Sequence, residues 1–123
     1  MSASSPAPAR TGMRFKPDPD LVSAARLFTS TIARDAGVDE GSIDDLKLAV
    51  TEACAAAIEG GAAEIDLELV LDEARLSVRV TAEGIGDAAT ARSAPIGHVA
   101  LIRALFDDTT SRPDAVSFSV PLS

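Results

Sequence analysis

The sequence predicts an α+β domain of two layers, a mixed, mostly antiparallel sheet carrying its helices on one face. Three observations predict it. Two segments between Asp18 and Gly60 carry apolar residues at helical spacing, and the pattern after Gly60-Gly61 changes to strict alternation. A further apolar helical stretch then precedes one last alternating segment. The chain has 123 residues, enough for a single core, and shows no internal repeat and no second domain.

The elements follow in order. Residues 1–12 read as a disordered leader rich in Ser, Ala and Pro, and residues 13–123 as the domain. Met13 to Lys16 reads as a short first strand with Met13 and Phe15 on one face. Asp18-Pro19-Asp20 supplies a helix start: a capping oxygen, Pro in the first turn, and acid at the positive end of the dipole. Leu21, Ala25, Phe28 and Ile32 form the stripe of this first helix, and Gly37 is its natural stop. A second helix is expected from about Ser42, where Ser42 and Asp45 make a capping-box pattern. Its stripe is Ile43, Leu46, Val50, Ala53 and Ala57, and Gly60-Gly61 ends it. Ile65, Leu67, Leu69 and Leu71, then Leu76, Val78 and Val80, alternate along two strands joined at Asp72-Glu73-Ala74, a hairpin. A Gly-containing loop runs from Ala82 to Pro95. Ile96 to Asp108 reads as a third helix, and Val116, Phe118 and Val120 mark a last strand.

Composition excludes several function classes. Hydrophobic residues make up 46% of the chain and charged residues 24%, a globular balance. A net charge of −8 argues against nucleic acid as a direct partner, because phosphate contact needs clustered Lys and Arg. The same charge permits a basic protein partner, and solubility alone accounts for it equally well. No apolar run approaches the roughly 20 residues that span a membrane. A single cysteine forms no intramolecular disulfide, so the expected setting is reducing and cytoplasmic.

One stretch carries a family pattern. Asp45-Leu46-Lys47-Leu48-Ala49-Val50-Thr51-Glu52-Ala53-Cys54-Ala55-Ala56-Ala57-Ile58 resembles the N-box helix of the GHKL (Bergerat) ATPase superfamily. It looks most like the anti-sigma regulatory serine kinases of bacterial partner switching. The likeness runs from Phe15 onward and takes in Leu21 to Arg26 and Ile102-Arg103-Ala104-Leu105-Phe106-Asp107-Asp108. It implies a two-layer α/β sandwich. It also implies a helix acid, with an Asn four residues later on the same face. The acid activates the attacking hydroxyl, and the Asn holds Mg²⁺ beside the phosphates.

Set against that pattern, Glu52 stands at the acid position and Ala56 at the Asn position. Glu52 is therefore either a vestigial base or a solvated helix carboxylate. The adenine box matches Ala82-Glu83-Gly84-Ile85-Gly86. Both glycines are kept, Ala82 replaces the acid, and Glu83 is expected on the other face. Gly84 and Gly86 are remnants of the box or simply shape a turn. The phosphate-cradling glycines fall on Ile96 and His98, and a shift of one residue rescues only Gly97. The nine residues between Gly86 and Ile96 are short for an ATP lid. Metal ligand, adenine acid, phosphate loop and lid thus depart together, and the expected cofactor set is empty: no ATP, no Mg²⁺ and no other metal.

What the resemblance leaves is binding. It implies that an Arg in the first helix grips both a sigma factor and a STAS-domain anti-anti-sigma antagonist. Arg26, preceded by Val22 and small residues, stands in that place, and Arg34 is a second candidate. The other reading of Arg26 is a solvated helix cation. The expected function is an anti-sigma-factor-like module acting in a transcriptional stress response. It sequesters an alternative sigma factor, is released by the STAS protein, and forms a homodimer. The alternatives are an active ATP-dependent serine kinase, or an adaptor for a STAS or histidine-kinase-like protein without a sigma factor. Cys54 reads as core filler. His98, the sole histidine, has no Cys or His at metal spacing and reads as a contact or pH-sensitive residue. Asp107-Asp108 reads as a solvated helix end.

Overall fold

The computed structural model describes residues 8–84 and 96–122. Their order is β1 (Ala9–Phe15), α1 (Pro19–Asp35), α2 (Glu40–Glu59), β2 (Glu64–Leu71), β3 (Arg75–Glu83), α3 (Ile96–Leu105), β4 (Thr110–Arg112) and β5 (Ala115–Pro121). The strands form one sheet in the order β1-β2-β3-β5-β4, and every neighbouring pair is antiparallel. The expected α+β architecture is therefore present.

Alternation decides which sheet face is dry. Ile65, Leu67 and Leu69 of β2, Leu76, Val78 and Val80 of β3, and Val116, Phe118 and Val120 of β5 are buried. They join Ile43, Leu46, Ala49, Val50, Ala53, Cys54 and Ala57 of α2 and Ile102 of α3 in one core. The helices pack in a row, α1 on α2 and α2 on α3. The other sheet face carries charge: Arg14 lies 2.9 Å from Glu83 and 3.7 Å from both Glu64 and Asp66. These pairs are substantially exposed, so they hold the face in water more than they add stability.

Caps fix the helix ends. The Asp18 carboxylate accepts from the Asp20 N–H at 2.8 Å, and Pro19 opens α1 as the sequence predicts. Gly37, at φ +89°, follows the α1 C-cap. α2 starts at Glu40 rather than near Ser42. Asp39 is its cap, accepting from both the Ser42 N–H at 3.0 Å and the Ser42 hydroxyl at 2.8 Å. Ser42 thus belongs to the capping group from inside the first turn.

Four boundaries and faces differ from expectation. β1 begins at Ala9, inside the stretch read as leader, because its backbone pairs with β2 over the whole register from Ala9↔Leu71 to Phe15↔Ile65. That pairing is close: a Cβ on Gly12 would stand 2.4 Å from the Leu67 carbonyl oxygen, so the position needs glycine. In α1 the buried line is Val22, Ala25, Thr29 and Ala33, whereas Leu21 is 37% exposed. Small side chains let α1 approach α2 closely, and Thr29 satisfies its buried hydroxyl by donating to the Ala25 carbonyl at 2.9 Å. α3 ends at Leu105, not Asp108, and Phe106 leaves the helix to stack on Phe118 with ring centroids 5.0 Å apart. β4 has no signal in the sequence pattern: three polar residues are strand only because they pair with β5.

Candidate functional site

Two helices and one strand converge where the resemblance puts nucleotide chemistry. α2 presents Glu52 and, one turn on, Ala56. β3 presents Ala82, and the first turn of α3 presents Gly97 and His98. Glu52 and Glu59 lie seven residues apart, so both project from one face of α2.

His98 bridges those two carboxylates. Its Nδ1 lies 2.7 Å from Glu52 Oε1, and its Nε2 is hydrogen-bonded to Glu59 Oε2. The His98 and Glu52 side chains are 23% and 22% exposed, and Glu59 is 57% exposed. The imidazole pKa is raised above its usual 6.5, chiefly by the bond to Glu52 and next by the bond to Glu59, against a smaller opposing effect of desolvation. Glu52 is thereby engaged: the oxygen that faces the His98 ring is occupied by that contact.

Among the described residues, Ala56 and Ala82 offer no side-chain ligand to a nucleotide. Ala56 has no oxygen for a metal. Ala82 is 9% exposed, sits opposite Ile65 in the β2–β3 register, and donates its N–H to the Asp114 carbonyl at 2.7 Å. Glu83, next along, turns to the opposite face and pairs with Arg14, as strand alternation predicts. Gly84 takes φ +72°, and a Cβ there would meet the Ala63 Cβ at 2.8 Å, so its glycine shapes the strand exit. A Cβ on Gly97 would meet nothing within 4 Å, so packing does not demand that glycine. Gly86 and all nine residues of the expected lid lie outside the described residues. An ATP–Mg²⁺ pair does not fit this donor set: the acid faces a histidine, and methyl groups stand at the metal and adenine positions.

The partner-binding candidates separate. Arg26 is exposed on α1, with no ion pair or hydrogen bond among the described residues, and its neighbour Leu27 is 67% exposed. Val22 is 9% exposed and belongs to the core, because the buried line of α1 runs through it. Arg34 is already held by Glu40, through Nε at 3.0 Å and a second nitrogen at 3.2 Å, and this pairing raises its pKa further.

Two groups escaped the sequence reading. Glu59 was legible only as the residue seven beyond Glu52, and nothing joined it to a histidine 39 positions away. Asp108 is solvent-exposed as expected, but it lies three residues beyond the end of α3 and is hydrogen-bonded. It accepts from the Ser119 N–H at 3.2 Å and the Ser119 hydroxyl, and Arg75 donates to that hydroxyl at 2.8 Å. Cys54 is buried, and desolvation pushes its thiol up to about 12, which makes it inert. Among the described residues no cluster of His, Cys, Asp and Glu could hold a metal ion, and no helix is long and apolar enough to cross a membrane.

The sequence profile of the histidine kinase-like ATPase domain matches residues 15–116. No curated protein matches the chain.

Proposed function

The chain belongs to the histidine kinase-like ATPase domain family, and we propose that within it the protein is an anti-sigma-factor-like binding module rather than a kinase. It sequesters an alternative sigma factor, and a STAS-domain anti-anti-sigma protein competes for an overlapping surface and releases it. Arg26 carries the reading: an exposed guanidinium with no ion pair among the described residues, next to the exposed Leu27, on the helix where the family resemblance puts the partner contact. Arg is enriched among the few residues that carry most of the binding energy of a protein interface. The net charge of −8 suits a partner with basic surface around an acidic contact. ATP has no part in this cycle, which accords with Ala56, Ala82 and the engagement of Glu52 by His98.

Capture from a cell lysate on the immobilised protein, with mass identification, tests the reading. The wild type is expected to retain a sigma factor, and Arg26→Ala about tenfold less of it or worse. Recovery of no sigma factor by the wild type overturns the proposal, and recovery of a STAS protein alone makes the chain an adaptor. Thermal-shift titration with ATP and Mg²⁺ is expected to give no shift. Low-micromolar binding that disappears in Glu52→Ala would restore the kinase reading.

A further inference from the structure

We propose that His98 is a protonation-dependent latch: as an imidazolium it ties the first turn of α3 to two carboxylates two turns apart on α2, and as a neutral ring it releases one of the two ties. The latch does not depend on which partner the protein binds.

The donor count carries it. Ionised carboxylates only accept hydrogen bonds, and both ring nitrogens of His98 face carboxylate oxygens. Both contacts are made at once only if both nitrogens carry a proton. A neutral ring has one N–H, so its second nitrogen would set a lone pair against a carboxylate. Glu52 and Glu59 are about 10.5 Å apart along the α2 axis, two turns, and the ring fills the space between them. Among the described residues, α2 sets these two carboxylates against the ring. Gly97, Val99, Ala100 and Leu101 beside it on α3 carry no charge. The raised pKa of the imidazole has the direction this arrangement requires. A group whose pKa is raised by folding contributes fully below its ordinary value of 6.5 and loses the contribution as pH climbs through the raised value. The latch is therefore closed in mildly acidic solution and opens on the alkaline side.

His98 is the sole histidine, so tag-free protein gives one imidazole signal by NMR and needs no assignment. The expected titration midpoint lies above 6.5, with both ring nitrogens protonated below it, and both Glu52→Gln and Glu59→Gln lower the midpoint. Protection of the amides of residues 100–102, whose helical acceptors are the carbonyls of residues 96–98, corrected for intrinsic exchange, is expected to fall about tenfold or more across the wild-type titration. It should stay level in Glu59→Gln, whose amide can both donate and accept. A midpoint at or below 6.5 that neither substitution moves overturns the proposal, as does amide protection that stays constant through the titration. If Glu52→Gln fails to fold, Glu59→Gln, at the exposed end of the bridge, decides the question alone.

Discussion

Replacing Gly84 by alanine separates the architectural use of that glycine from any use in holding a nucleotide. The residue sits at φ +72° as β3 ends, a conformation that costs an L-residue about 1–2 kcal/mol. The new Cβ would also meet the Ala63 Cβ at 2.8 Å. Ala63 cannot swing away, because its N–H is held by the Glu83 carbonyl at 2.9 Å. Forcing that contact adds about 1–3 kcal/mol. The sum, roughly 2–5 kcal/mol, is a large part of the 5–15 kcal/mol that holds a domain of this size together. Thermal denaturation followed by circular dichroism should show Tm falling by roughly 10 °C or more. The double variant Ala63→Gly/Gly84→Ala removes the clash but keeps the backbone cost, so it should recover about half of the loss. A Gly84→Ala protein melting within about 2 °C of the wild type would refute this reasoning, and so would a double variant no better than the single one.

Two further outcomes are expected. Cys54 should resist thiol reagents at pH 8 in the folded protein, because its pKa of about 12 leaves almost no thiolate. Labelling should then track unfolding in a denaturant series, and rapid native labelling would contradict the burial. Asp72 accepts from the Ala74 and Arg75 N–H groups at 2.7 Å each, which holds its carboxyl below the ordinary 3.8. That contribution is present above pH 3.8 and is lost as pH falls through the lower folded value, so Asp72→Ala should unfold with a weaker dependence on acid than the wild type.

The parts of the fold legible in the sequence are those that short-range physics decides. The Asp18-Pro19 start, the β2–β3 hairpin and the glycine stops at Gly37 and Gly60-Gly61 each depend on residues a few positions apart. The shared face of Glu52 and Ala56 follows from helical period alone. Tertiary contact decided the rest. Residues 9–12 look like leader until β2 offers them a ladder, and Thr110–Arg112 has no pattern until β5 lies beside it. The buried line of α1 keeps the expected Ala25 but runs through Val22, Thr29 and Ala33, with Phe28 and Ile32 at its margin and Leu21 outside it. The bridge from His98 to Glu52 spans 46 positions and rests on the docking of α3 against α2, which no local pattern encodes.

The place of β1 at the edge of the sheet also sets an order of events during synthesis. Its ladder partner is complete only when Leu71 has been made, after both α1 and α2. At about 5–20 residues per second, the first strand therefore waits several seconds with its backbone unpaired. The α1–α2 pair needs no distant strand to begin packing and offers that waiting chain the first ordered surface. Gly12 then admits the strand only in the one alignment where its missing side chain passes the Leu67 carbonyl. A strand made before both helices thus has its position decided only after them.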